Sequence, residues 1–251
     1  VAGVALGTLV AQYAGFLFAT LLWSVYYCRL WRLLDFKKVM DRKALKSFFL
    51  LNRDIFFRTL CLVAVTTYFT SQGAGRGEVI LAVNALLMQL FTMFSYVMDG
   101  FAYAAEALTG RYVGAKNLNG FKRLVRALFA WGAGLSLLFT VLYITGGKSF
   151  LALLTNEEMV LNAATRYAFW TWCIPLAGMA AFLWDGIYIG ATASRQMLYS
   201  MLIASICFFV VYMSLRALIG NHALWLAFIV YLLSRGMVQT CLAPGIFRRI
   251  S

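Results

Sequence analysis

Residues 78–108 read EVILAVNALLMQLFTMFSYVMDGFAYAAEAL, and the fold is decided by how this stretch is built. A helix needs roughly 20 predominantly apolar residues to cross a bilayer, and within this longer run only Glu78, Asp99 and Glu106 carry charge. Its polar and adaptable residues are not scattered. Asn84, Met88, Thr92, Ser95, Asp99, Tyr103 and Glu106 recur every three to four positions and make one stripe along a helix. A helix face turned to lipid has no use for such a stripe, so it is expected to look into protein or into a wet cavity. Two uses fit: a lining for amphipathic cargo, to which a flexible thioether adapts well, or hydrogen bonding between helices.

The rest of the chain repeats the pattern. Apolar runs fall at about 1–27, 48–70, 78–108, 122–145, 163–190, 197–216 and 222–246, which predicts an all-α, polytopic bundle of seven transmembrane helices. Composition agrees: 63% of the 251 residues are hydrophobic, 12% are charged and mean hydropathy is +0.81. Soluble domains of this length do not carry so much apolar surface. The net charge of +13, from 22 Lys and Arg against nine Asp and Glu, comes without a block suited to nucleic acid. It sorts between alternate loops. Arg29, Arg32, Lys37, Lys38, Arg42, Lys43 and Lys46 fill the first connection, and Arg111, Lys116, Lys122, Arg123 and Arg126 surround the third. Those loops are expected to be cytoplasmic. Arg195 and the tail Arg248-Arg249 then fall on the same side by alternation, and Arg76, Lys148, Arg216, Glu157 and Glu158 on the other.

Several function classes have little support. The five cysteines, Cys28, Cys61, Cys173, Cys207 and Cys241, show no CxxC spacing, so neither a disulfide framework nor a metal site is expected. The one histidine, His222, falls at the outer edge of the last span, where a capping or interfacial role is expected. No nucleophile–base pattern points to an enzyme. Val1 opens inside an apolar stretch with no charged segment ahead of it, a pattern unlike a signal peptide. The chain therefore reads as a fragment, with a cleaved leader as the other reading.

Charges within the spans are costly in hydrocarbon and normally pair or face a cavity. They are Arg53, Asp54 and Arg58 in the second span, Asp99 and Glu106 in the third, Asp185 in the fifth and Arg235 in the seventh. Counting back from the cytoplasmic ends at about 1.5 Å per residue places Arg58 level with Asp99, and Arg53 level with Glu106. Asp54 and Arg58 share a face at the i,i+4 spacing. A network joining the second and third spans is expected. Asp185 stands ten residues after Pro175, a helix-kinking residue. Either Asp185 or Asp99 is expected to take up and release a proton; the other reading of Asp185 is that it neutralises Arg235. Trp184 and Tyr188 flank Asp185 and complete the expected substrate cavity.

The stretches Asn52-Arg53-Asp54-Ile55-Phe56-Phe57-Arg58-Thr59-Leu60, Ala82-Val83-Asn84-Ala85-Leu86-Leu87, Asp99-Gly100-Phe101 with Ala104-Ala105-Glu106-Ala107-Leu108 and Gly110, and Trp184-Asp185-Gly186 with Gly190-Ala191-Thr192 resemble the multidrug and toxic compound extrusion (MATE) family. Its DNA-damage-inducible, DinF-like branch is the most similar. The resemblance implies twelve helices in two six-helix lobes, with cytoplasmic termini and linker. On that plan residues 1–28 resemble the last helix of the N-lobe, 29–47 the basic interlobe linker and 48–251 the six-helix C-lobe. Sodium-coupled relatives place one acid on the seventh family helix and one on the tenth. Asp185 falls at the tenth-helix position, but Arg58 stands where the seventh-helix glutamate is expected, so H+ is the expected coupling ion in preference to Na+.

The function expected on these grounds is secondary antiport, exporting cationic or amphipathic organic compounds across the inner membrane by alternating access. No cofactor and no nucleic-acid partner are expected. The partners are the lipid bilayer, small organic substrates and the missing N-lobe of the same polypeptide. A lipid or polysaccharide-precursor flippase of the same superfamily and a seven-helix receptor are the alternatives.

Overall fold

The computed structural model describes residues 2–27 and 40–250, and every regular element among them is helical. The chain divides into two units, Val1–Leu50 and Leu51–Ser251. The first contains α1 (Ala2–Tyr27) and the opening turns of α2 (Arg42–Ala74). No charged residue interrupts α1, and its described side chains are exposed all round. A helix apolar on every face belongs in lipid or against other protein. Residues 29–39 of the expected linker, with Cys28, lie outside the described residues.

The second unit contains the remainder of α2, then α3 (Glu78–Gly114), α4 (Leu118–Leu154), the short α5 (Glu158–Thr165), α6 (Ala168–Gly190), α7 (Ser194–Ile219), α8 (Asn221–Leu242) and α9 (Pro244–Ile250). Among the described residues, six stretches are long and apolar enough to cross a membrane: α1, α3, α4, α6, α7 and the run through α8 into α9. The remaining expected span, 48–70, lies in α2. At 33 residues α2 has the length, but Arg53, Asp54, Arg58 and a run of threonines dilute its apolar content.

Two boundaries differ from the sequence reading. The expected span 163–190 is broken at Arg166 and Tyr167 into α5 and α6, which places the arginine at a helix end. Instead of ending near 145, α4 continues to Leu154, its first turn fixed by Asn117, whose side-chain oxygen accepts from the Gly120 amide at 2.8 Å. The tight connection between α7 and α8 turns on Gly220 alone, at φ +59°, a conformation that a residue with a Cβ seldom adopts.

Buried continuously from Ala181 to Tyr188, α6 is the centre of the second unit and packs on α3, α4 and α8. Its approach to α3 is unusually close. A Cβ at Gly186 would overlap the backbone of Ala102, and one at Gly190 the carbonyl of Glu106. Two glycines one turn apart thus let two backbones meet, as small residues do where helices associate in membranes. The pairs 186 over 102 and 190 over 106 also show that α3 and α6 run parallel. Pro175 lies inside α6, and in the turn that it loosens Thr140 of α4 donates to the Trp172 carbonyl at 3.3 Å.

The packing of α2 is different: long side chains hold it to the bundle. Tyr68 stacks edge-on against Phe209 and Tyr212, Phe69 against Trp225, and the Tyr212 hydroxyl donates to Gln72 at 2.8 Å.

Candidate functional site

The site is built around Asp185, which the glycine-mediated contact holds deep against α3. Asp185 is 6% exposed, and the cost of ionising it there requires compensation. Arg58 of α2 and Arg235 of α8 both donate to its Oδ2, and Gln239 of α8 donates to Oδ1 at 2.6 Å. Three helices are thereby tied through one carboxylate. Arg235 and Gln239 stand one turn apart, so a single face of α8 supplies both donors. The Arg235 guanidinium also lies over the Phe182 ring, 5.7 Å from its centroid. The Nε atoms of Arg58 and Arg235 and the Oε1 of Gln239 are buried without a hydrogen-bond partner.

Beside this cluster lies a cavity of about 400 Å3, whose wall includes Arg58, Ser95, Asp99, Tyr103, Glu106, Asp185 and Arg235. The register of α3 on α6 places Asp185 level with residue 101. Asp99 is therefore only about 3 Å away along the helix direction, at 1.5 Å per residue. Neither Asp99 nor Glu106 forms an ion pair among the described residues.

The expected pairings are corrected accordingly. Arg58 meets Asp185 and not Asp99, because the tight α3–α6 contact brings an acid 127 residues away in sequence to the arginine. Arg53 pairs with its neighbour Asp54 at 3.1 Å and not with Glu106. Buried Asp54 does not pair with Arg58. It accepts from the Ser194 hydroxyl at the start of α7, 3.2 Å away. The ion pair of Asp185 with Arg235, one of the two readings of that acid, is present.

The expected substrate cavity is also redrawn. Ser95 and Tyr103 line the cavity beside Asp99. Asn84 does not: it exchanges two hydrogen bonds with Asn221, at 2.9 and 3.0 Å, and accepts from the Trp225 indole. The N-terminal part of the stripe is covered by α8, so the same face of α3 meets protein at one level and a cavity at another. Met88 packs against the apolar core, and the Thr92 hydroxyl donates to the Met88 carbonyl of its own helix. Trp184 donates to the Thr240 hydroxyl and Tyr188 to the Gln239 carbonyl, both buried between α6 and α8.

Gln239 and Ser194 were missed in the sequence reading. Gln239 had a signal, a polar residue one turn beyond an intramembrane arginine; Ser194 had none, since its partner lies 140 positions away. His222 is partly buried at the start of α8, its Nδ1 accepting from the Trp170 indole at 3.1 Å with the Tyr167 ring alongside. The four described cysteines are free.

The chain is 38% identical over 241 residues to DNA damage-inducible protein F of Escherichia coli (strain K12), covering 94% of this chain and 51% of that protein. It thus spans about half the length of the curated relative that it matches. The MatE family model matches residues 55–213, a stretch that includes Arg58, Asp99 and Asp185 and most of the helices around them. The chain belongs to the MatE family, the multidrug and toxic compound extrusion proteins that its motifs resemble.

Proposed function

We propose that this chain is the C-terminal half of a proton-coupled antiporter that exports cationic or amphipathic organic compounds by alternating access of two lobes. On this reading residues 48–251 form the C-lobe, 29–47 the cytoplasmic linker and 1–28 the last helix of the N-lobe. The bilayer is the inner membrane, with the basic loop between α3 and α4 on its cytoplasmic side. The N-lobe supplies the other wall of the cavity, and an isolated C-lobe does not transport.

The observation that carries the proposal is the contrast between two acids beside one cavity. Asp185 is occupied by two guanidiniums and an amide, which leaves it poorly placed to coordinate Na+. Asp99 shares the cavity without an ion pair among the described residues, as a group that takes up and gives back a proton requires. Ser95, Tyr103 and Phe91 beside it offer hydrogen bonds and an apolar surface to an organic cargo.

The test is efflux of a fluorescent organic cation from liposomes containing the full-length parent protein, under an imposed proton gradient or an imposed sodium gradient. Proton-driven efflux is expected in wild type, with Asp99→Asn slower by tenfold or more, which corresponds to about 1.4 kcal/mol on the barrier. Efflux driven by sodium alone overturns the coupling ion. Absence of efflux under both gradients, across several cargoes, overturns the transport reading.

A further inference from the structure

Asp185 is over-supplied with positive charge and Asp99 is under-supplied. Two arginines on one carboxylate leave a net positive charge in a buried site and hold two guanidiniums close together, whereas one arginine on each of two carboxylates leaves two neutral pairs. The second arrangement opens as soon as Asp99 is ionised. Arg58 is the arginine free to make the change. Its side chain is 17% exposed against 5% for Arg235, and Arg235 is also pinned over Phe182. The Nε of Arg58 has no partner where it now stands. The register of α3 on α6 puts the two acids at nearly one depth, so the exchange is a lateral swing and not a slide along the helix. Its carrier, α2, is attached through long side chains, while α3 and α6 meet backbone to backbone.

We propose that Arg58 alternates between Asp185 and Asp99 according to whether Asp99 carries a proton, and that this exchange shifts α2 against α6 and α8. The proposal rests on the proton-coupled reading above and assigns its moving part. The charged and titratable groups lining the cavity with Asp99 are Arg58 from α2, Tyr103 and Glu106 from α3, Asp185 from α6 and Arg235 from α8. With Asp99 protonated and neutral, Arg58 stays on Asp185. When the proton leaves to cavity water, the new carboxylate recruits Arg58, and Asp185 keeps Arg235 and Gln239. Arg58 is thus a positioning residue for the coupling step.

The experiment uses the full-length parent protein in nanodiscs, freed of native cysteines and spin-labelled through Phe57→Cys on α2 and Met237→Cys on α8. Distance distributions at acidic and alkaline pH are expected to differ. The difference is expected to vanish in Asp99→Asn, to vanish in Arg58→Gln and to survive in Arg58→Lys, which keeps the charge. In the efflux assay, Arg58→Gln is expected to move the midpoint of the pH profile upward by about one pH unit or more, because ionised Asp99 has lost its cation. A distribution that ignores pH, or a pH response that persists in Asp99→Asn, overturns the exchange. Proton-driven efflux with no movement of α2 sinks the exchange and leaves the transport reading intact. Movement of α2 without efflux supports the exchange and sinks transport.

Discussion

Asp99 and Asp185 are the same residue type at nearly the same depth, and their surroundings differ: Asp185 holds two guanidiniums and Asp99 lines the cavity without an ion pair among the described residues. Removing the charge of Asp185 strands Arg58 and Arg235, two largely buried cations that already lack partners for their Nε atoms. Asp185→Asn is therefore expected to destabilise the protein by about 3–5 kcal/mol, the usual cost of breaking a buried pair by removing one member. Asp99→Asn removes no ion pair among the described residues and, at acidic pH where Asp99 carries its proton, is expected to unfold at the wild-type temperature. Thermal unfolding in detergent checks both. Equal losses in the two variants would contradict the division of roles, and an unshifted Asp99→Asn would make its transport defect a defect of coupling and not of folding.

At the scale of elements, the site depends on how closely two helices approach. Gly186 and Gly190 allow α6 to lie on the backbone of α3 at Ala102 and Glu106, and that contact carries Asp185 to the cavity wall. Gly190→Ala forces the helices apart and is expected to cost about 1–3 kcal/mol, as overpacking usually does. A control is available in Gly134 of α4, where an added Cβ meets nothing within 4 Å. There alanine is expected to be neutral or slightly stabilising, since it favours the helix by up to about 1 kcal/mol. Unfolding temperatures of the two variants decide the matter, and a Gly190→Ala protein as stable as Gly134→Ala would refute the close-packing account. The apolar runs located most of these helices in the sequence, but not the break at Arg166 and Tyr167. Hydropathy averages over a window and passes across two residues at a helix end.

For the whole molecule, charge asymmetry is expected to set the orientation. Arg111, Lys116, Lys122, Arg123 and Arg126 surround one end of α3 and α4, while Glu78, Glu157 and Glu158 stand at the other. In intact cells expressing the full-length parent protein without its native cysteines, Glu157→Cys is expected to react with a membrane-impermeant thiol reagent. Lys116→Cys is expected to react only after the cells are opened. The reverse pattern would overturn the expected topology and the proposed direction of transport. The chain spans about half of the relative that it matches, and on the proposed reading an N-lobe supplies the second wall of the cavity.

By itself, the sequence determined the medium and the architecture. Apolar runs of membrane length, few charges and a sorted basic excess admit little besides a helical bundle in a bilayer, since every backbone polar group must be satisfied within the helix. It also singled out the charged residues within the spans as candidates, because an ionisable side chain in hydrocarbon is too costly to be incidental. Their pairing was decided only by the tertiary structure. Counting depth made Arg58 level with Asp99, and that level is shared by Asp185 on a helix that no local pattern places nearby. Likewise the stripe on α3 was legible as one polar face, but not that α8 closes its N-terminal part through Asn84 while its C-terminal part lines a cavity. Periodicity gives the direction in which a side chain points along its own helix. What stands in that direction depends on contacts across more than a hundred residues, and those are set by how the helices pack.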